Sequence, residues 1–348
     1  MQVSASDRNS SIRFEDFISL AAFWAPERTI LHSAWLEHAP FAFWLVEALH
    51  PRILVELGTQ SGFSYFSFCQ AVQRLQLQAA CYAVDTWKGD EQAGFYGEDV
   101  FVDVRKHNEQ HFSAFSTLIR ATFDDASQYF IDETIDLLHI DGRHFYDDVK
   151  RDYETWRGKL SKRALVLFHD INVRERGFGV FRLWNDLRQA HPHFEFTHGH
   201  GLGVLGVGSD VPEQIRNLFA ASADAGAAFD IQQAYGRLGV AVRFQAKSKC
   251  ADLAEAQASG LQSALCEREA AVAALDQPLA QRSNEIDTLR RSLSERDATL
   301  FSAQADLAQA RIECERAIAS LAAMRNSTSW RLTSPLRKLR LGARKFGL

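Results

Sequence analysis

From Leu265 to Leu321 an apolar residue returns at every seventh position: Leu265, Val272, Leu279, Ile286, Leu293, Leu300, Leu307, Cys314 and Leu321. A helix turns every 3.6 residues, so a period of seven keeps these side chains on one slowly drifting face, which predicts a coiled-coil seam. The companion position three residues on is weaker, reading Arg268, Leu275, Arg282, Leu289, Arg296, Ala303, Ala310, Ala317 and Met324. Pro278 removes a helix hydrogen bond and predicts a kink or a split. Such a seam either joins copies of the chain as a homo-oligomer or belongs to a long solvated helix folded back on the rest.

Composition changes near residue 247. Nearly all aromatics and most glycines precede it, while Ala, Leu, Gln, Glu and Arg dominate after it. A hydrophobic share of 46% with 25 Phe supplies a substantial core and excludes wholesale disorder. In the first part, short apolar strands are expected at 53–57, 81–84, 117–120, 135–140 and 165–168. Helix-compatible stretches such as 64–75, 145–156 and 180–189 alternate with them. A pair at 194–197 and 203–207, joined by a short Gly-rich link, reads as an antiparallel hairpin at one sheet edge. Strands separated by helices make an α/β fold with a doubly wound, mostly parallel, seven-stranded sheet. Residues 11–50 look helical and are placed to cover a site.

The net charge of −5 gives no global basic field, so nucleic acid is not an expected partner. Five cysteines without a C-x-x-C pair argue against a disulfide framework or structural zinc and fit a reducing cytoplasm. The start of the chain is polar, and no apolar run reaches the roughly 18 residues a membrane-spanning helix needs.

The chemistry-bearing residues begin where the first strand ends. Glu56 lies inside the strand end, and Gly58, Thr59, Gly62 and Ser64 follow in a turn that opens a helix. Glycines there let backbone N–H groups approach a ligand, but the spacing G-x-x-x-G departs from the dinucleotide fingerprint and favours a cofactor without a pyrophosphate. The next strand ends in Asp85, positioned to accept both hydroxyl hydrogens of a ribose. Trp87 either packs against an adenine or is structural.

These blocks resemble a known family. Glu56-Leu-Gly58-Thr59-x-x-Gly62-x-Ser64, then Asp85-Thr-Trp87-x-Gly89-Asp90, then Asp141-Gly142-x-His144-x-Tyr146 look like the class I methyltransferases known as methyltransferase domain 24, whose relatives include sugar O-methyltransferases. The resemblance spans roughly residues 30–208. It implies a Rossmann-like fold and S-adenosylmethionine as cofactor, with Gly58, Thr59, Gly62 and Ser64 at the methionine end. It also implies that Asp85 holds the ribose and that Asp124, with Asp125 beside it, lies near the adenine. The domains expected are a helical cap (1–50), the cofactor-binding core (51–210), a helical connector (211–246), the coiled coil (247–325) and a basic amphipathic tail (326–348).

Two neighbouring strands end in Asp141 and Asp170, whose carboxylates should project into one crevice. With Asn172 and waters they would suit Mg²⁺ or another divalent cation. Metal-dependent members often carry the third ligand directly after the second acid, whereas here Ile171 intervenes. His139, inside a strand, is expected to be a satisfied core histidine. For the base that takes the acceptor's proton, His144 is the first candidate and His169 the second, with a merely structural role for His169 left open. The Gly199–Gly203 turn either contacts acceptor or is only permissive.

The segment 330–348 mixes Arg331, Arg337, Lys338, Arg340, Arg344 and Lys345 with Trp330, Leu336 and Phe346 and has no acid. It is either a surface-seeking amphipathic stretch, giving peripheral membrane contact at the cytoplasmic face, or a plain basic tail. Residues 327–337 are similar to a segment at the ends of bacterial glycosyltransferases and associated enzymes of surface polysaccharide assembly. That similarity implies a sugar or glycan acceptor and glycosyltransferases as partners. Two rivals stay open: a small-molecule methyltransferase whose coil serves only assembly, and a non-catalytic coiled-coil scaffold for glycosyltransferases.

Overall fold

The computed structural model describes residues 14–31, 33–92 and 94–337. The first part of the cap and the tail residues from Lys338 onward therefore lie outside the described residues. The chain divides into two compact units, residues 1–255 and 256–348.

The first unit is built on the strands β1 (Ile53–Leu57), β2 (Ala80–Asp85), β5 (Ser116–Arg120), β6 (Ile135–Ile140), β7 (Leu160–His169), β8 (His193–Phe196) and β9 (Leu202–Gly206), with a small ladder of β3 (Gly89–Asp90) and β4 (Gly94–Phe95). The large sheet runs β5-β2-β1-β6-β7-β9-β8. Its pairs are parallel up to β7, and β9 runs antiparallel to both β7 and β8. Seven strands, mostly parallel, with a hairpin at one edge is the architecture expected. The last strand of the hairpin, β9, is the inner one.

Alternation along each strand explains the near-continuous apolar runs. Successive side chains leave a strand on opposite faces, so a sheet covered on both sides needs apolar residues at every position. Leu54, Leu137, Leu165 and Leu167 join one core with Phe41, Trp35 and Phe68. Their neighbours Val55, Leu138, Val166 and Phe168 join a second core with Val149, Trp156 and Trp184. Helices α1 (Ala39–Leu49), α2 (Phe63–Arg74) and α3 (Glu98–His111) contribute to the first core; α4 (Phe123–Ser127), α5 (Tyr146–Trp156) and α6 (Val180–Leu187) contribute to the second.

After α7 (Glu213–Ala221) comes α8 (Ala225–Asn326), then the short α9 (Thr328–Leu332). At its start α8 buries Ile231, Tyr235, Gly239, Val242 and Ala246, steps of three or four that make one helical face. Tyr235 donates to the Phe17 carbonyl at 2.6 Å. A Cβ at Gly239 would come within 2.3 Å of the Glu37 carbonyl oxygen, so glycine is what allows the helix to lie against the chain there. The second unit is helical through Asn326 and exposed at each residue from 256 to 326. The helix is not interrupted at Pro278. The carbonyl that loses its donor belongs to exposed Ala274, where water can replace the missing bond.

Candidate active site

Strand parity decides which polar groups meet. Glu56 is in register with His139, and both share the alternation that sends Leu54 and Leu137 into the first core. Asp85 follows Cys81 and Ala83 on the same face of β2, and His169 follows Leu165 and Leu167 on β7. Four polar side chains thus stand at the carboxyl ends of four adjacent strands on one face. Beyond them opens a cavity of about 500 Å³, lined by Gly58, Thr59, Ser64, Asp85, Asp141, His144, His169 and Asp170 among others. That is within the usual size range of small-molecule sites, which sit outside the carboxyl ends of such strands.

The Gly-containing turn is shaped by proximity. Gly58 has φ +91, and a Cβ there would fall 2.1 Å from the Asp141 carbonyl oxygen, so the tips of β1 and β6 can touch only through glycine. Gly62, φ +79, caps α2 in the left-handed conformation. Thr59 Oγ1 is buried and without a hydrogen-bond partner while its residue lines the cavity, a donor and acceptor waiting for a ligand. Asp85 accepts the Gln60 N–H at 2.8 Å on one oxygen and the Trp87 N–H at 2.7 Å on the other. Burial raises the Asp85 pKa despite the backbone donors of Gln60, Trp87, Thr59 and Thr86 around it.

The opposite end of the cavity is a carboxylate–imidazole cluster. His144 Nε2 lies 2.8 Å from Asp170 and 3.6 Å from Asp141. His169 Nδ1 lies 3.3 Å from Asp141 and 3.5 Å from Asp170, and its Nε2 sits 3.1 Å from the Gly199 carbonyl. His200 Nδ1 is 3.1 Å from Asp170. Asp170 reaches inward because its backbone is left-handed, φ +61, an uncommon conformation for a residue with a side chain. Burial alone would lower His144, but the two carboxylates outweigh it and raise its pKa to about 9. The same balance raises His169 well above its ordinary value and holds Asp141 and Asp170 below theirs.

The remaining predicted residues fall outside the cavity wall. Glu56 is fully buried and held by His139 Nδ1 at 2.8 Å. Trp35 Nε1 donates to His139 Nε2 at 3.1 Å, which fixes the tautomer, so His139 is the satisfied core histidine expected. Trp87 is buried, packs on Phe101 and donates to the Gln60 carbonyl at 2.9 Å, the structural alternative. Asp124 opens α4 on the surface and pairs with Arg151, while Thr122 and Phe123 line the cavity instead. Asn172 donates its amide to the Thr197 carbonyl at 3.0 Å and is not among the residues lining the cavity. Where the sequence put Asn172 beside Asp141 and Asp170, the structure puts His144: the ligand atoms of Asp141, His144 and Asp170 lie within 4.8 Å of one another.

Other contributors carry no local signal. Phe178 stacks on the His144 ring, centroids 4.4 Å apart and planes 8° from parallel. Gln92 accepts the His144 backbone N–H at 2.8 Å. Ser33, Ala34 and Trp35 close one wall. His38 adds a second donor to the Gly199 carbonyl at 3.0 Å; its pKa is well lowered by burial and by His169 and His198, so it is neutral.

Residues 55–171 match the family model described as a methyltransferase domain. Over 187 residues the chain is 54% identical to an uncharacterized protein, y4gI, of Sinorhizobium fredii (strain NBRC 101917 / NGR234), a match covering 54% of this chain and 20% of that protein. The chain therefore spans about a fifth of the length of that curated relative. Among solved structures, the SAM-bound O-methyltransferase TomG of Streptomyces achromogenes, involved in tomaymycin synthesis, aligns at 12% identity. It covers 56% of this chain and 98% of that one, with a TM-score of 0.39. The SAH-bound methyltransferase PaMTH1 of Podospora anserina aligns at 12%, covering 49% and 77%, again with a TM-score of 0.39. The segment 55–171 is thus similar to methyltransferase domains.

Proposed function

We propose that this chain is an O-methyltransferase that alkylates a sugar hydroxyl during bacterial surface polysaccharide assembly, at the cytoplasmic face of the membrane. The observation that carries the methyl-transfer reading is the single cavity shared by Gly58, Asp85, Asp141 and Asp170. The sugar reading is supported by the resemblance of residues 327–337 to segments of polysaccharide-assembly enzymes and by the polar acceptor end, where Asp170, His200 and Arg176 offer hydrogen bonds to a polyol.

S-adenosylmethionine supplies a methyl group on a sulfonium, from which an oxygen nucleophile can displace it. Asp85 would accept the ribose hydroxyls, and the turn around Gly58 and Thr59 would hold the methionine end. Holding the acceptor oxygen in line, about 3 Å from the methyl carbon, is a positioning effect worth ~7–11 kcal/mol. An acceptor oxygen that displaced the methyl group from the sulfonium would release its hydroxyl proton to His144 Nε2, whose ring stacks on Phe178 and lies 2.8 Å from Asp170. His144 must first be empty, and two carboxylates favour its proton to about pH 9. Asp141 and Asp170 fit a divalent cation, with His144 within ligand reach; there it would offset their charge and make a bound hydroxyl more acidic. Ser33, Ala34 and Trp35 line the same cavity.

The test is incubation of the purified chain with methyl-labelled S-adenosylmethionine, Mg²⁺ and a panel of nucleotide-activated sugars and surface glycan from a strain lacking the gene. Label recovered in a monosaccharide after hydrolysis supports the reading. Transfer confined to small aromatic acceptors overturns the sugar assignment, and no cofactor binding at all leaves only a scaffold.

A further inference from the structure

We infer that residues 256–326 pair with the same segment of a second copy of this chain, as a parallel, in-register, two-stranded coiled coil. The inference is independent of the methyl-transfer reading. The helix presents Leu265, Leu279, Leu293, Leu300, Leu307 and Leu321, each more than half exposed, along one face. A long stripe of this kind normally marks an interaction surface. What identifies the occupant is the charge on either side of it.

With the Leu265 series at position a of the heptad and the Arg268 series at d, positions e and g flank the seam. In a parallel pair each g faces the partner's e five residues further on. Wherever both members are charged they are opposite: Glu285 meets Arg290, and Asp306 meets Arg311. In an antiparallel pair g faces g and e faces e; the charged g residues of the segment are Glu285, Asp306 and Glu313, all acidic, while the charged e residues (Glu269, Asp276, Arg290, Asp297, Arg311 and Arg325) are of both signs. Self-pairing in parallel is therefore attractive at those two contacts on each flank, and the reverse orientation gives them up and sets acid against acid along the g flank. In this pairing Arg268, Arg282 and Arg296 each face their own copy at d, and two strands accommodate them because their stems can cover the seam while the guanidinium groups diverge into water.

Cys314 occupies an a position, so only the parallel, in-register pair brings two copies of it within the about 4.4–6.8 Å between Cα atoms that a disulfide spans. All five cysteines are free, and Cys69 and Cys81 are buried. The experiment uses the full chain carrying Cys250→Ser and Cys266→Ser, oxidised with copper phenanthroline and run without reductant, alongside sedimentation equilibrium of the unoxidised protein. The expected result is a two-chain mass in solution and conversion of most of the protein to a covalent dimer, which Cys314→Ser abolishes without changing the sedimenting mass. Glu285→Arg should lower the melting temperature of the dimer, and adding Arg290→Glu should restore it. A one-chain mass, a mass of three or four chains, association only with a different protein, or a two-chain mass whose Cys314 sulfurs do not join would each overturn the inference.

Discussion

The two compact units invert each other. The first buries what water would normally keep, including the fully buried Glu56, Asp136 and His139 and the nearly buried His169 and Asp170. The second exposes what water would normally drive inside, a row of leucines with nothing laid over it among the described residues. Buried charge persists only when it is paired or when a ligand will use it, and an exposed apolar row persists only when another surface will cover it. The first unit is thus built to receive small polar molecules, and the second presents a face suited to another helix.

If that division is real, substitutions in the cluster should strike chemistry and leave association alone, and substitutions on the stripe should do the reverse. The largest effect is expected at His144. His144→Ala should lower kcat by ~10²–10⁴-fold while the dissociation constant for S-adenosylmethionine stays within about twofold. A wild-type rate would move the proton to another group of the cluster, His200 being the exposed one. Asp85→Ala comes next and acts on the other side of the cavity. Loss of charge-assisted hydrogen bonds worth about 1.5–3 kcal/mol should weaken cofactor binding roughly tenfold to 150-fold. Calorimetry showing unchanged affinity would remove Asp85 from the ribose.

The mirror experiment is on the stripe. Leu293→Asp together with Leu300→Asp places two charges in the seam of the full chain. Association measured by sedimentation should fall at least tenfold, whereas cofactor affinity and kcat should hold within about twofold. A matching collapse of kcat would mean that pairing of the helices completes the site, and the two units could no longer be treated as separate machines.

How much of this could be read from the chain follows the same division. Periodicity is local, so the strands, the mostly parallel seven-stranded sheet with its edge hairpin, and the long C-terminal helix were legible. So were the residues at strand tips, because a Gly turn or an acid at the end of an apolar run is a contiguous signal. What was not legible is set by contacts across the sequence. His38 and His169 share the Gly199 carbonyl although 161 and 30 residues separate them from it. Nothing near Asn172 says that its amide will satisfy Thr197 instead of facing Asp170. The stacking of Phe178 on His144 depends on the loop between β7 and α6. Asp124 illustrates the hazard of transfer by motif: beside Asp125, it opens a helix and faces Arg151 at the surface. Pro278 shows the converse, since a rule about helix interiors presumes a buried carbonyl and this helix is bathed in water.

The smallest predicted effect tests whether the first unit tolerates a buried charge that no ligand is expected to use. Asp152 is buried behind Gly142, and burial, followed by the charges of Asp148 and Asp124, raises its pKa from 3.8 to about 7 against the pull of Arg151 and Arg143. Between those two values the folded chain holds a proton that the unfolded chain has released, so stability falls as pH rises through the window and is lowest above it. Asp152→Asn removes the charge and keeps the shape. It should raise Tm at pH 8 by roughly 2–4 °C, corresponding to about 1 kcal/mol for a domain of this size, and leave Tm unchanged at pH 4, where the wild-type carboxyl is already protonated. Equal shifts at both pH values would assign the gain to packing. No shift at either would mean that the carboxylate reaches water after all, and that uncompensated charge in this unit is confined to the cluster around Asp141 and Asp170.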